Sequence, residues 1–502
     1  MGSRKSFGMM IMALGLAGGL VAALGLLGAD LSPDATWLRE LSAQAWFKPL
    51  MIALLGAAAL SLVVTVWQMI AARLERPAPA TSYVRKSDLK VRPNEPISRL
   101  PAYRDVLREL CLQKSLSAID LVNHLLSAGL SLGASDIHLS PGANGTRTNL
   151  RIHGLLYDMG TLPEEIHPFV VSRIKVVSDL AIFKKNTPQD GRIRLEDERY
   201  TARVSVLPTN HGEKVVMRLA SQHGGLYDIE HLGMSAEVLD LLKALLNRNQ
   251  GVIILTGPTG SGKTTTMYAC LQHINATRGK SVNIVTLEDP IEFDFPSFSQ
   301  TQVEVAQGLS FAVGLRSILR QDPDVIMVGE IRDEETASNA MRAAMTGHLI
   351  FTTVHADSAA GVFNRIVQIG IEPVHLASAV CAVISQRLSQ RLCSHCRHEA
   401  PITPTQRRQL ELLNLPSLPE GPFFASSGCD ECLGMGFTGL TSLYEMLVVT
   451  NPIRDLITQG IPAHKLHHAA AALGMTTLLD DGLAKARLGE VSLDEVLRVV
   501  TI

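Results

Sequence analysis

The hydrophobic positions of this chain follow three regimes, and each predicts a different kind of structure. The first comprises two uncharged apolar runs, Phe7 to Ala29 and Pro49 to Ala72. Each is long enough as a helix to cross about 30 Å of hydrocarbon. Arg4 and Lys5 precede the first run and Arg73 and Arg76 follow the second, while the loop between them carries Asp30, Asp34 and Glu40 against Arg39 and Lys48. The bias of basic residues places both ends in the cytoplasm. Region 1–72 therefore reads as two spans of the inner (cytoplasmic) membrane, over about 7–29 and 49–72, joined by a short periplasmic loop. A signal peptide is the competing reading of the first run, since Leu27-Gly28-Ala29 could serve as a cleavage site. The second run would then stop transfer and still leave everything after Arg73 inside.

The second regime, residues 73–115, begins Pro-rich and basic and shows no apolar period, as expected of a linker lying near anionic lipid or simply halting translocation. The third regime alternates elements. Residues 116–222 combine a helical apolar period over Ile119 to Leu130, a strand over Asn149 to Tyr157, a helix over Phe169 to Ile182 and β-rich runs near Arg192, Arg199 and Lys214, which makes an α+β domain. Within 223–392 the short apolar runs Val252 to Leu255, Asn283 to Leu287, Val325 to Val328 and Leu349 to Thr353 alternate with helical stretches, the pattern of an α/β domain with a mainly parallel sheet. Residues 393–440 are irregular, and 441–502 read as short helices.

Composition narrows the function classes. The length of 502 residues is too great for one core, and a net charge of -2 with a pI near 6.8 gives no global field that would recruit nucleic acid. No specific nucleic-acid partner is expected. Of seven cysteines, four form two CxxC pairs, which is not the framework of a secreted disulfide protein.

The chemistry concentrates at Gly257-Pro258-Thr259-Gly260-Ser261-Gly262-Lys263-Thr264, followed by Thr265. This stretch stands between an apolar strand and a helix. Glycines at these spacings let successive N–H groups face phosphates, with the helix N-terminus adding its partial positive charge. Lys263 would reach the β- and γ-phosphates of ATP, and Thr264 would offer its hydroxyl to Mg²⁺. Glu330, ending the run Val325 to Gly329, is the best candidate to orient the attacking water. Glu288 is a second candidate for water or Mg²⁺, although Asp289-Pro290 beside it also reads as a plain helix start. His348 and His355 flank the strand Leu349 to Thr353 and are candidates for sensing phosphate, or are structural. Cys393, Cys396, Cys429 and Cys432 have the spacing of a closed tetrahedral Zn²⁺ site, with a redox disulfide or core thiols as the alternatives.

Together these segments resemble the secretion and pilus assembly ATPases of the GspE/PilB type, in the type II secretion and type IV pilus superfamily. The resemblance runs from about Leu116 to the C-terminus. It rests on ASDIHLSP at Ala134, QDGRI at Gln189, RVSVLPT at Arg203, GEKVVMRL at Gly212, the phosphate loop, TLEDPIEF at Thr286, GLRSILRQDPDVIMVGEIRD at Gly314 and TGHLIFTTVHADSA at Thr346. It implies a RecA-like ATPase domain preceded by a PAS-like α+β domain and an assembly into a homo-hexamer. It also implies work with a polytopic inner-membrane platform protein to drive pilin or pseudopilin assembly. Arg203 and Arg218, with Arg192 as a further candidate, match arginines that complete the nucleotide site in that family; periodicity alone would read them as charges on a strand face. The tetracysteine element is likewise a feature of the assembly members.

Three features depart from the family. Typical members reach the membrane through a separate N-terminal domain, His153 stands where Asp is usual, and Thr438 and Leu440 replace basic residues common after the final CxxC. Competing functions are a related motor for DNA uptake or conjugative pili, and a nucleotide-gated membrane scaffold with little turnover.

Overall fold

The computed structural model describes residues 83–113, 116–195, 200–221, 228–413 and 420–500. The two expected membrane spans lie outside these residues. Among the described residues no helix is long and apolar enough to cross a membrane.

The first domain begins earlier than its sequence suggests. Strand β1 (Tyr83–Val84) and helix α1 (Leu100–Leu112) fall within the expected linker, yet Val84, Ile97, Leu100 and Leu107 are buried in the domain core. Their apolar positions are too sparse among Arg, Glu and Pro to register as a period, and only packing reveals them. Next come α2 (Ala118–Ser131), β2 (Ala134–Gly142), β3 (Gly145–Ile152), β4 (Leu155–Leu162), α3 (His167–Val177), β5 (Gln189–Leu195), β6 (Tyr200–Thr209) and β7 (Gly212–Ser221). The strands form a seven-stranded sheet in the order β1-β5-β6-β7-β2-β3-β4. Alternation sorts its side chains: Ala202, Val204 and Val206 of β6 and Ile137 and Leu139 of β2 enter the core. Arg203 and Asp136 consequently point to the opposite face.

Two boundaries differ from expectation for local reasons. The single strand expected over 149–157 is a hairpin turned at His153-Gly154, both with positive φ (49° and 84°). A two-residue hairpin turn of this kind favours Asn or Asp before Gly, so His153 occupies a position where a short acidic residue fits more cheaply. Helix α3 stops at Val177 because Asp179 takes the left-handed conformation (φ 60°) and Leu180 N–H bonds back to Lys175 O at 2.8 Å, a six-to-one closure of the helix end.

In the ATPase domain a second seven-stranded sheet has the order β10-β9-β11-β12-β8-β13-β16. Its members are β8 (Gly251–Thr256), β9 (Ile284–Glu288), β10 (Ser299–Gln302), β11 (Val325–Val328), β12 (Leu349–Thr353), β13 (Val380–Leu392) and, later in the chain, β16 (Phe437–Val448). Every neighbouring pair is parallel except β13 with β16. Helices α4 (Ala236–Leu246), α5 (Lys263–Arg278), α6 (Phe311–Ile318), α7 (Glu334–Met345), α8 (Ala359–Ile369) and α9 (Pro373–Ala379) cover it. Successive residues of each strand supply two different cores: Val252, Ile254, Ile326, Val328 and Ile350 pack on one face, and Ile253, Leu255, Val325, Met327 and Phe351 on the other. A sheet covered on both faces needs apolar residues at every position, which is why these runs are continuous.

The tetracysteine segment is an insertion between β13 and β16. It contains the two-stranded sheet of β14 (Arg397–Ala400) and β15 (Phe423–Ser426) with α10 (Pro404–Leu412). The expected boundary at 440 falls inside β16, whose residues Ala382↔Val448 through Gln390↔Leu440 pair with β13. Helices α11 (Asn451–Thr458), α12 (Ala463–Ala472), α13 (Leu478–Arg487) and α14 (Leu493–Val500) close the chain.

Candidate functional site

The phosphate loop follows β8, whose six residues are all buried, so the loop leaves a rigid strand. Gly257 adopts φ 144°, and a Cβ there would lie 2.4 Å from Gln386 O and 3.1 Å from an Arg387 guanidinium nitrogen. Gly262 (φ 87°) is similarly confined, with Gln386 Nε2 at 2.8 Å from the added carbon. Both positions therefore require glycine on conformational and steric grounds together. Gly262 also starts α5 without a side-chain cap, leaving the first-turn N–H groups available to an anion. Ser261 Oγ is buried with no hydrogen-bond partner, a donor suited to a phosphate oxygen. Lys263 bends back to donate to Gly257 O (2.8 Å) and Pro258 O (2.9 Å). Burial pushes its ammonium pKa down, Arg387 adds to the shift and Glu330 opposes it. Thr264 and Thr265 stand half-buried in the first turn of α5.

Glu330 comes two residues after β11 and points toward the same end of the sheet. Its carboxylate pairs with Arg332 and lies 3.8 Å from His355 Nε2. His355 is brought there by a reciprocal pair of bonds that fastens its loop to β8: Thr256 Oγ1 donates to Ala356 O (2.8 Å) and accepts from Ala356 N–H (3.0 Å). A cavity of about 750 Å³ opens beside the loop, lined by Gly257 to Ser261, His355, Arg365, Arg387 and Arg498 among others.

His348 does not share this site. It precedes β12, level with Gly251 at the start of β8, so the five-residue strand separates it from His355 by roughly 17 Å. Its Nδ1 bonds Ala343 O at 2.9 Å and its carbonyl accepts from Gly251 N–H. Of the two candidates for sensing phosphate, strand direction sets His348 at the end of β12 away from the loop, where it finishes α7.

Glu288 is fully buried and engaged. It accepts from Tyr268 Oη, from Thr286 Oγ1 at 2.5 Å and from Gln300 Nε2 at 3.0 Å, and β9 is three strand spacings from β8, roughly 14 Å. In this arrangement its carboxylate ties α5 to β9 and β10. No helix begins at Pro290 either; the Asp289-Pro290 bond is cis and an irregular segment follows.

The three arginines lie side by side. Arg192 pairs in register with Arg203, Arg203 with Arg218, and Arg218 with Asp136. Like charges directly opposite each other repel, and here carboxylates offset part of that: Arg203 meets Glu292 at 3.2 Å and Arg218 meets Asp136 at 3.2 Å. They line a second cavity of about 570 Å³ against Glu292, Phe293 and Asp294. None of them lines the cavity at the phosphate loop.

Sequence reasoning missed Gln386 and Arg387. Gln386 Oε1 accepts from Thr266 of α5 at 2.8 Å. Arg387, nearly buried, donates to Asp357 O at 2.7 Å and Gln386 O at 3.2 Å. Burial lowers its guanidinium pKa. The available signal was Ser385-Gln386-Arg387, where the apolar run Val380 to Ile384 turns polar within one strand.

The four cysteine sulfurs lie within 4.8 Å of one another. Cys393–Cys429, Cys396–Cys432 and Cys429–Cys432 are each 3.8 Å apart. A tetrahedron with Zn–S bonds of about 2.3 Å has edges of about 3.8 Å, so the donor set fits zinc. Disulfide distances near 2 Å are not approached. Cys432 Sγ also accepts N–H groups from Cys429 (3.2 Å) and Gly436 (3.1 Å), as a thiolate ligand would. Leu433 packs on the first domain and Glu431 accepts from Ser98 Oγ at 3.2 Å, so the element braces that domain against the ATPase sheet.

Comparison with known proteins agrees with this architecture. The family model described as "Type II/IV secretion system protein" matches residues 112–498. The type II secretion system protein HxcR of Pseudomonas aeruginosa is 41% identical over 389 residues, covering 77% of this chain and 78% of that protein. The type II secretion system ATPase E of Vibrio cholerae is 40% identical over 404 residues, with 80% and 78% covered. The type IV pilus assembly ATPase PilB of Thermus thermophilus is 41% identical over 383 residues, but only 43% of its length is spanned. Among solved structures, the pilus retraction motor PilT with bound ADP matches with TM-score 0.52 and 28% identity, covering 74% of this chain and 95% of that one. The ATPase DotB of Legionella pneumophila shares the fold at TM-score 0.56 and 20% identity. On the extent of the family match and the identity to these relatives, the chain belongs to the type II/IV secretion system protein family.

Proposed function

We propose that this protein is a membrane-anchored ATPase motor that works as a homo-hexamer with a polytopic platform protein, coupling ATP hydrolysis to assembly of pilin or pseudopilin filaments. The observation that carries the catalytic part is the meeting of Gly257–Lys263 with the Glu330–His355 pair at the carboxyl ends of parallel strands, where α/β sheets bind their ligands. The loop amides, Ser261 Oγ and Lys263 hold the phosphates; Lys263 exchanges its two carbonyl partners for phosphate oxygens. Thr264 would hold Mg²⁺, which when bound offsets phosphate charge. Glu330 orients the attacking water, and His355 beside it links that carboxylate to the loop fastened on Thr256.

Arg203 and Arg218 enter on domain closure. Their present partners, Glu292 and Asp136, are exchangeable carboxylates, and an arginine arriving at the transferred phosphoryl group is worth about 10³–10⁵ in rate in other NTPases. Zinc on the four cysteines is structural, because four thiolates leave no open coordination position. The membrane anchor is the pair of spans expected over 1–72.

The test measures phosphate release by the detergent-solubilised full chain. Turnover in the unmutated protein, lost in Glu330→Gln with ATP binding retained, supports the reading. Binding of ATP with equal, negligible release by the unmutated protein, Glu330→Gln and Lys263→Ala would leave a nucleotide-gated scaffold instead.

A further inference from the structure

The cavity at the phosphate loop is not walled by the ATPase sheet alone. Its far side is built from Ala463 at the start of α12 and from Arg498 and Val499 of α14, the last helix of the chain. The charged side chains lining it are Arg365, Arg387, Arg498 and Asp357, with His355 beside them. Such an excess of cations suits a polyanion better than a neutral ligand.

Arg498 is held in a defined orientation. Nε donates to Glu495 Oε1 and Nη2 to Glu495 Oε2, both at 2.7 Å. Glu495 is itself 8% exposed and accepts the backbone N–H of Gln390 at 3.1 Å. Gln390 is three residues along β13 from Arg387, whose guanidinium abuts Gly257. The chain of contacts therefore runs from the phosphate loop through β13 and a buried carboxylate to the cation on the last helix. A guanidinium carries five N–H groups, so a bidentate partner leaves donors for a second anion. With its side chain 54% exposed, Arg498 presents them at the cavity side of the helix. A surface ion pair between residues three apart would need no anchor on a neighbouring strand.

We infer that Arg498 is a nucleotide-contacting residue: it binds the terminal phosphate of the ATP held by Gly257–Thr264, so the C-terminal helices sense whether that phosphate is present. This rests on the nucleotide reading of the loop proposed above. Arg365, on the opposing helix α8, widens the same cationic wall.

The experiment uses the full-length chain in detergent, with fluorescent ATP and ADP analogues and steady-state hydrolysis. In Arg498→Ala, ATP affinity should fall about 10-fold or more, the loss of one charge-assisted hydrogen bond, while ADP affinity changes less than about 3-fold on the same scale. Arg498→Lys keeps the charge without the fork and should recover part of the ATP affinity. KM for ATP should rise with the loss in affinity. Thermal unfolding of each variant is measured alongside, and Arg498→Lys carries the test if the alanine variant does not fold. ATP affinity within about 3-fold of the unmutated protein's, or equal losses for ATP and ADP, in folded variants would overturn the inference and leave the nucleotide reading intact. Failure of the unmutated protein to bind either nucleotide would overturn both.

Discussion

Two parts of the molecule gather positive charge, and they are prepared in different ways. At the phosphate loop the cations and N–H donors are fixed by the strand ends beneath them: Lys263 rests on loop carbonyls and Arg387 is locked to Asp357 O and Gln386 O. On the first domain Arg192, Arg203 and Arg218 form a row across three strands, and two of them are neutralised by Glu292 and Asp136. The loop amides and Ser261 Oγ stand ready for an anion, whereas the arginine row lines a separate cavity away from the loop. Under the proposed function, ATP binding is then a property of the ATPase domain alone, while hydrolysis waits on movement of the first domain. Preorganised donors cost no reorganisation at the moment of reaction; a row that must be carried to the site would make the reaction conditional.

The largest expected effect breaks the first half of that contrast. Lys263→Ala should reduce phosphate release by on the order of 10²–10³, as for loss of one charge-stabilising donor, and should weaken ATP binding in the same fluorescence titration. Survival of most of the activity would mean that the loop is not the catalytic site.

His355→Ala and His348→Ala sharpen the comparison within one strand. The first should slow hydrolysis by about 10-fold or more through the neighbouring Glu330. The second should leave the rate within about 2-fold and cost about 0.5–1.5 kcal/mol of stability for its lost bond to Ala343 O. Parity between the two in phosphate release would overturn the assignment of opposite ends.

The tetracysteine element supplies a structural control. Cys429→Ser should abolish zinc in metal analysis and lower the unfolding temperature, with loss of the contact through Leu433 and Glu431 to the first domain. ATP binding, seated on β8, should persist. Unaltered zinc content would remove the metal assignment.

The smallest effect is in pH. His467 Nε2 meets the buried Glu445 at 3.0 Å, while Glu445 Oε1 accepts Ala359 N–H at the start of α8. Bonding to Glu445 raises the His467 pKa against the opposing effect of burial. A folded pKa above the unfolded value, about 6.5, gives stability present below that value and lost as pH rises through the folded pKa. His467→Gln should therefore narrow the gap in unfolding temperature between acid and alkaline buffer, with its cost concentrated on the acid side. An equal cost at about pH 5.5 and about pH 8.5 would contradict the pairing.

Much of this was legible in sequence because the signals were local. The phosphate loop is continuous, and the four apolar runs that became β8, β9, β11 and β12 had to be apolar throughout to be covered on both faces. What failed depended on partners distant in sequence. Helix α1 is a sparse pattern that only the domain core explains. His348 and His355 look equivalent along the chain, and strand direction separates them. Gln386 and Arg387 acquire meaning only because β13 lies beside β8. Arg498 lies still farther from the loop in sequence, and no motif links the two.

The most direct test separates binding from turnover in the double variant Arg203→Ala, Arg218→Ala, using nucleotide titration and phosphate release on the same solubilised full-length sample. The account predicts ATP affinity within about 3-fold of the unmutated protein and hydrolysis slower by about 10³ or more. Hydrolysis at the unmutated rate would contradict it, showing that the phosphate loop and Glu330 complete the reaction without the arginine row.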